Sequence, residues 1–164
     1  MRISLADWLF EVDVDATERY TTHCTEAHCL CAYCRNFYET VDGEFPAVRT
    51  FLERFGVNLY GPSELMPFEP TLFMACYRVT GQIIHKGLKR MHICGVPVRP
   101  EEADGKSFFL WIGEMELPWV QDEPEEDVVS PANQPEFMQR MLNKWLETRQ
   151  MMNIHKHAPV YVVK

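Results

Sequence analysis

The sequence predicts an α+β fold, in which a mostly antiparallel sheet is covered by one helix from the central region and by an amphipathic helix near the C-terminus. Runs of apolar, aromatic and β-branched residues recur between residues 72 and 117, which is typical of strands. Apolar residues recur at helical spacing in residues 46–55 and 136–153. The 164 residues, of which 46% are hydrophobic and 24% charged, match one soluble globular domain spanning residues 1–164.

The N-terminal third predicts strands followed by two helices. Ile3–Val14 has the apolar character of one or two strands. Arg35–Val41 is predicted as a short helix that ends at Asp42-Gly43. Pro46–Phe55 is predicted as a second helix, because proline suits a first helical turn and the following Gly56 suits a C-terminal stop. Its apolar face consists of Val48, Phe51, Leu52 and Phe55.

The middle of the chain predicts the sheet. Candidate strands are interrupted by Gly81 and by a turn from Pro100 to Gly105. They are Leu72–Thr80, Gln82–His85, Met91–Val98 and Ser107–Leu117. Phe108–Ile112 is apolar on both faces, which predicts a central strand that a helix covers on one side.

The C-terminal part predicts a loop, a helix and a final strand. Residues 121–135 contain five acidic residues and three prolines, a composition typical of an exposed loop. Glu136–Asn153 is predicted as an amphipathic helix, because its apolar residues follow one stripe. Val160–Val163 is β-branched and aromatic and predicts one last strand.

The composition also bears on partners and compartment. The formal net charge of −8 argues against nucleic-acid binding, because an acidic surface repels the phosphate backbone. No apolar run reaches the roughly 20 residues of a membrane span, and Asp7 and Glu11 interrupt the N-terminal stretch before a signal-peptide core. We therefore expect a cytoplasmic protein without nucleic-acid or membrane partners. The sequence identifies neither a protein partner nor an oligomeric state.

Four of the six cysteines lie within eleven residues, at Cys24, Cys29, Cys31 and Cys34. In a reducing compartment, such thiols are typical of metal or redox sites rather than of disulfides. Zinc takes about four soft ligands in a tetrahedron, and the C-x2-C unit of Cys31 and Cys34 supplies two converging thiolates. Cys29 adds a third and Cys24 a fourth. These four cysteines are therefore our predicted ligands of a structural zinc ion.

Other side chains offer alternatives for this ligand set. His23 and His28 are close to the cysteines in the sequence, and either can complete the tetrahedron in place of Cys24. His92 and Cys94 are two residues apart on a predicted strand, so their side chains share one face and can supply further ligands. The sequence leaves open whether any of these residues binds the metal.

Two other hypotheses use the same cysteines differently. In thiol-disulfide exchange, the start of a helix activates one thiol of a C-x2-C unit, so Cys31 beside Arg35 would be the nucleophile and Cys34 the resolving thiol. In an interaction protein, the thiols would be inert. The G-x-S-x-G, P-loop, dinucleotide-binding and H-E-x-x-H patterns do not occur in the sequence, which favours a non-enzymatic protein.

The segment Cys29–Phe37, with the sequence C-L-C-A-Y-C-R-N-F, resembles the C-x-C-x-Y-C-R-N-F signature of a family of uncharacterised bacterial proteins. Further similarity lies in Phe51–Val57, Tyr77–Ile83 and Leu117–Val120, so the resemblance extends in separate blocks over residues 1–120. It implies a shared architecture and no known activity. The acidic loop and the predicted C-terminal helix lie beyond it.

Overall fold

The computed structural model describes residues 1–26, 29, 31–69, 71–122 and 160–163. In this part of the chain, two strands are followed by three helices and then by six more strands. The helices are α1 (Val14–Glu26), α2 (Ala32–Glu44) and α3 (Pro46–Glu53). The strands are β1 (Arg2–Leu5), β2 (Trp8–Val12), β3 (Glu64–Glu69), β4 (Leu72–His85), β5 (Arg90–Ile93), β6 (Val96–Glu102), β7 (Ser107–Glu116) and β8 (Val160–Val163).

The eight strands form one sheet in the order β1-β2-β4-β7-β6-β5-β8, and β3 also pairs with β4. All the pairings are antiparallel except that of β8, which lies parallel to β5. β7 lies between β4 and β6, so Phe108–Ile112 is central as predicted. The α+β class, the mostly antiparallel sheet and the final strand Val160–Val163 are confirmed.

The main core contains residues of α2, α3 and one face of the sheet. Phe10 of β2 stacks on Phe108 of β7, with 5.3 Å between the ring centroids. Phe55, just after α3, meets Phe10 edge-on at 5.5 Å. The predicted helix from Pro46 is therefore confirmed as a cover of the sheet, and the chain leaves it through Gly56, whose φ of 73° suits glycine.

The opposite face of the sheet carries a smaller apolar cluster made by alternate residues of the same strands. Its buried members are Met66, Met74, Cys76 and Trp111. Leu110 of β7 belongs to the main core, whereas its neighbour Trp111 belongs to this second cluster. The apolar character of both faces of β7 is thus explained by a hydrophobic cluster on each side.

Helix α1 was not predicted, because it lacks an apolar stripe. Asp13 caps it, with its carboxylate accepting a hydrogen bond from the backbone N–H of Ala16 at 2.9 Å. Two fully buried threonines, Thr17 and Thr21, contact the rest of the protein in place of large apolar side chains. The Thr17 hydroxyl accepts a hydrogen bond from Thr80 N at 3.0 Å. Because its buried side chains are polar, α1 has little apolar character, and sequence reasoning did not detect it.

Helix α2 is longer than the predicted Arg35–Val41. It begins at Ala32 and continues through Asp42 and Gly43 to Glu44. Gly43 is exposed, and no other residue in the described part of the chain crowds it, so it remains helical at a cost of about 1 kcal/mol relative to alanine. The Asp42 carboxylate accepts from the Arg49 guanidinium at 2.7 Å. The expected stop at Asp42-Gly43 is therefore wrong.

The strand boundaries differ from the prediction at two glycines and at Pro100–Glu102, which belong to β6 rather than to the predicted turn. Gly81 does not divide two strands, because β4 runs continuously through it and the missing side chain lets Glu11 O approach closely. Met91–Val98 is not one strand but a hairpin, with Cys94 and Gly95 as its two-residue turn at φ values of 48° and 92°. Positive φ at both turn residues is the type I′ pattern that tight hairpins prefer.

Two predicted elements lie outside the described residues, namely the helix Glu136–Asn153 and all but the first two residues of the loop 121–135. β3 was not predicted. Among the residues that the structure describes, no helix has the length and apolar character needed to cross a membrane.

Candidate metal centre

The clustered cysteines lie where α1 gives way to α2. Cys24 is in the last turn of α1, Cys29 and Cys31 are in the connection, and Cys34 is in the first turn of α2. Cys29 and Cys31 are exposed, whereas Cys34 is buried. None of the three is in a disulfide. The group therefore has one side against the protein and one side open to solvent.

The sulfur atoms of Cys29, Cys31 and Cys34 all lie within 4.8 Å of one another. In a tetrahedral zinc site with Zn–S bonds near 2.3 Å, neighbouring sulfurs are about 3.8 Å apart. Small side-chain rotations therefore bring the three thiolates to the zinc geometry. Within the described part of the chain, no other group of three or more cysteine, histidine, aspartate or glutamate side chains is arranged to hold a metal ion.

Helix α2 positions two of these thiols. Cys31 is its N-cap, in an extended conformation, and its carbonyl oxygen accepts the first helical hydrogen bond from Arg35 N at 3.0 Å. The Cys31 thiol makes no capping hydrogen bond, and the first turn contains no acidic side chain. The partial positive charge of a helix N-terminus stabilises thiolates there. This local geometry suits an anionic ligand group.

The three thiols have different electrostatic surroundings. A hydrogen bond from the backbone N–H of Cys31 lowers the pKa of Cys29, and hydrogen bonds with the Cys31 and Cys34 side chains add to this effect. Burial raises the pKa of Cys34 strongly, and the neighbouring Cys31 and Cys29 thiols raise it further. Without a metal, the buried Cys34 thiol therefore holds its proton more firmly than the Cys29 thiol.

Tyr38 lies one helical turn after Cys34 and is half-buried. Burial raises the pKa of its phenol to about 12, with smaller contributions from the negative charge of all four clustered cysteines, Cys24 included. Cys24 is therefore close enough to Tyr38 to affect its pKa, although the Cys24 sulfur does not belong to the group of three sulfurs that lie within 4.8 Å of one another. Sequence reasoning missed Tyr38. Residues four apart are neighbours only when both are in one helix, and the helix predicted from Arg35 did not include Cys34.

Of the alternative ligands, His23, His92 and Cys94 do not belong to this group. His23 is on the exposed side of α1, and His28 lies outside the described residues. His92 is on β5, and its buried Nδ1 has no hydrogen-bond partner among the described residues. Cys94 comes after the end of β5, exposed in the hairpin turn, so the expectation that it shares a strand face with His92 is wrong.

The first half of α2 is fixed to the chain that leaves β7. The buried Asn36 side chain donates to Pro118 O at 3.0 Å and accepts from Val120 N at 2.8 Å. Tyr33 and Trp119 meet edge-on, with 5.4 Å between their ring centroids. The helix that carries Cys31 and Cys34 is thereby held to the end of the central strand, independently of the cysteines.

Comparisons of the chain with protein families, with curated proteins and with solved structures found no match. The resemblance of Cys29–Phe37 to a bacterial family stays a prediction. The fold and the site define an α+β protein with a surface group of three converging cysteines that is compatible with a metal ion.

Proposed function

We propose that this protein binds one zinc ion, or another thiophilic metal ion, through Cys29, Cys31 and Cys34, and that the metal has a structural rather than a catalytic role. The observation that carries the proposal is the convergence of three free thiols to within 4.8 Å. Thiolates are the ligands that structural zinc prefers, and the required contraction of the group is small.

Charge and position support a structural role. Three thiolates leave a Zn²⁺ site with a net charge of −1, and the N-terminus of α2 beside it favours that negative charge. The metal would join the connection between α1 and α2, which carries Cys29, to the first turn of α2. Cys24, in the last turn of α1, is our proposed fourth ligand, and it would extend the same bridge to the preceding helix.

Elemental analysis of protein purified without chelators tests the proposal. We expect about one zinc per chain, and a content below about 0.2 per chain in protein that also fails to bind added Zn²⁺ would contradict it. Serine at position 29, 31 or 34 should abolish stoichiometric binding. Cys94→Ser is the matched control, because Cys94 is also an exposed cysteine but lies in a distant hairpin turn.

Two further measurements separate the proposal from its alternatives. If Cys24 is the fourth ligand, Cys24→Ser should weaken zinc binding without abolishing it. Free-thiol counting on the same samples identifies other chemistry, because a metal-free protein with a reversible Cys31–Cys34 disulfide would support thiol-disulfide exchange instead. A metal-free protein whose cysteine variants all keep wild-type stability would support an interaction protein with inert thiols.

A further inference from the structure

The sheet face opposite the main core is buried, although none of the described residues packed in its apolar cluster comes from a helix. We call it the Trp111 face. Its buried residues Met66, Met74, Cys76 and Trp111 belong to β3, β4 and β7 and are between 1% and 8% exposed. Side chains that stand side by side on one sheet leave their outer ends open to water unless another layer covers them. The burial therefore indicates a further layer over this face.

Strands β7 and β8 run in the same direction within one sheet. β6 is antiparallel to both β7 and β5, and β8 is parallel to β5. Residues 117–159 join the end of β7 to the start of β8, so the chain must return over one face of the sheet. Such crossovers between parallel strands of one sheet are right-handed in about 98% of cases. The handedness therefore decides which face the connection covers.

Backbone hydrogen bonds orient the sheet for this decision. When a strand of L-residues runs upward and a side chain points at the observer, the N–H and C=O of that residue point to the observer's right. Val12 of β2 points into the main core, and its N–H and C=O both bond to Met1, just before β1, with 2.8 Å from Val12 N to Met1 O. Seen from the main core with β2 upward, β1 is therefore on the right and β8 is at the far left.

This orientation assigns the connection to the Trp111 face. Seen from the main core, β7 runs upward and β8 lies to its left, so a connection in front of the sheet would be left-handed. Seen from the Trp111 face, β8 lies to the right of β7, and a connection in front of the sheet is right-handed. The main-core face is also already covered, because α2 and α3 pack on it and α3 contacts β5.

The connection contains the predicted amphipathic helix 136–153. A helix over this range is about 27 Å long, and the ten residues of β7 extend over about 33 Å. The predicted helix can therefore follow most of the length of the central strand. Its apolar stripe contains Phe137, Met138, Met141, Leu142, Trp145, Leu146 and Met152.

We propose that residues 136–153 of this chain dock as a helix on the Trp111 face, with the stripe around Trp145 against Met66, Met74 and Trp111. The segment is then a second helical layer of the fold, and its methionines are not a free surface for protein partners. The contact is independent of the metal centre, which lies between α1 and α2.

Photo-crosslinking of the full chain tests the contact directly. The photoreactive amino acid p-benzoylphenylalanine replaces Trp145, and peptide mass spectrometry locates the residues to which it bonds. We expect adducts within the same chain at Met66, Met74 or Trp111. The same amino acid in place of Glu147, on the opposite side of the predicted helix, is the matched control and should give no adduct with the sheet.

Three results of the crosslinking would overturn the proposal. Adducts with Met91 or Met115 would place the segment on the main-core face, where both residues are buried. Adducts that join the Trp111 faces of two chains would show that a second copy supplies the cover. The absence of any adduct with the sheet would show that the segment docks elsewhere.

Methionine oxidation tests the same contact without a photoreactive group. Both faces carry buried methionines, namely Met66 and Met74 on the Trp111 face and Met91 and Met115 on the main-core face. Leu142→Ala should speed oxidation by hydrogen peroxide at least fivefold on the Trp111 face alone, because weaker docking opens that face more often. Lys144→Ala, outside the predicted stripe, should leave all four rates unchanged. A Leu142→Ala chain with four wild-type rates, or with faster oxidation on the main-core face alone, would contradict the docking.

Discussion

Replacing Asn36 with alanine is expected to lower the free energy of unfolding by about 2–4 kcal/mol. Asn36 is fully buried and supplies two of the hydrogen bonds between α2 and the chain after β7. Alanine leaves Pro118 O and Val120 N unpaired, and each unpaired buried group costs about 1–3 kcal/mol. Both bonds are only partly buried, so water recovers some of this loss, and the lower part of the summed range applies.

Urea unfolding followed by circular dichroism measures this effect. Asn58→Ala is the matched control, because Asn58 is exposed and its side chain accepts a local hydrogen bond from Tyr60 N two residues away. The control should lose less than about 1 kcal/mol. If Asn36→Ala loses no more than Asn58→Ala, the two bonds of Asn36 do not hold α2 to the sheet, and the reasoning is refuted.

Two further predictions concern stability. Burial raises the pKa of Glu64, because the folded protein favours the protonated carboxyl over the carboxylate. The stability that this preference contributes is fully present below the ordinary pKa of 4.5 and is lost as the pH rises through the raised value. Glu64→Gln should therefore raise the urea midpoint at pH 7 and leave it nearly unchanged near pH 4, and an equal effect at both pH values would contradict this. Gly81→Ala should destabilise by more than about 1 kcal/mol, because a Cβ at φ 149° would lie 2.1 Å from Glu11 O. Gly43→Ala, in open space on α2, should instead stabilise slightly in the same urea assay.

The parts of the fold that were predicted correctly are those where apolar periodicity and backbone chemistry agree. In α3, the proline at the start, the apolar face and Gly56 at the end all indicate one helix, and the structure has it. In α1, the buried contacts are made by the polar side chains of Thr17 and Thr21, so the apolar signal of a helix is weak. At Gly81, a residue that usually interrupts strands is instead required by the close approach of a neighbouring strand.

The cysteine group was predicted from spacing, and the structure brings three of its four members together. Cys31 and Cys34 converge because they are three residues apart at the start of a helix, a relation that the C-x2-C spacing already contains. The position of Cys24 depends on how α1 is placed against α2. That placement follows from contacts distant in sequence, such as the hydrogen bond from Thr80 N to Thr17, which local patterns do not contain.

Helix α2 packs in the main core and also carries Cys31 and Cys34 at its start, and different residues make these two contributions. Phe37 and Val41 bury one side of α2 in the main core, and Asn36 ties it to the chain after β7. Neither contact involves a cysteine, so the fold places Cys31 and Cys34 before any metal binds. In small zinc fingers the metal supplies the folding free energy outright. Here the packed helix α2 already positions two of the ligands, Cys31 and Cys34. A metal ion would therefore mainly stabilise the connection between α1 and α2, which carries Cys29.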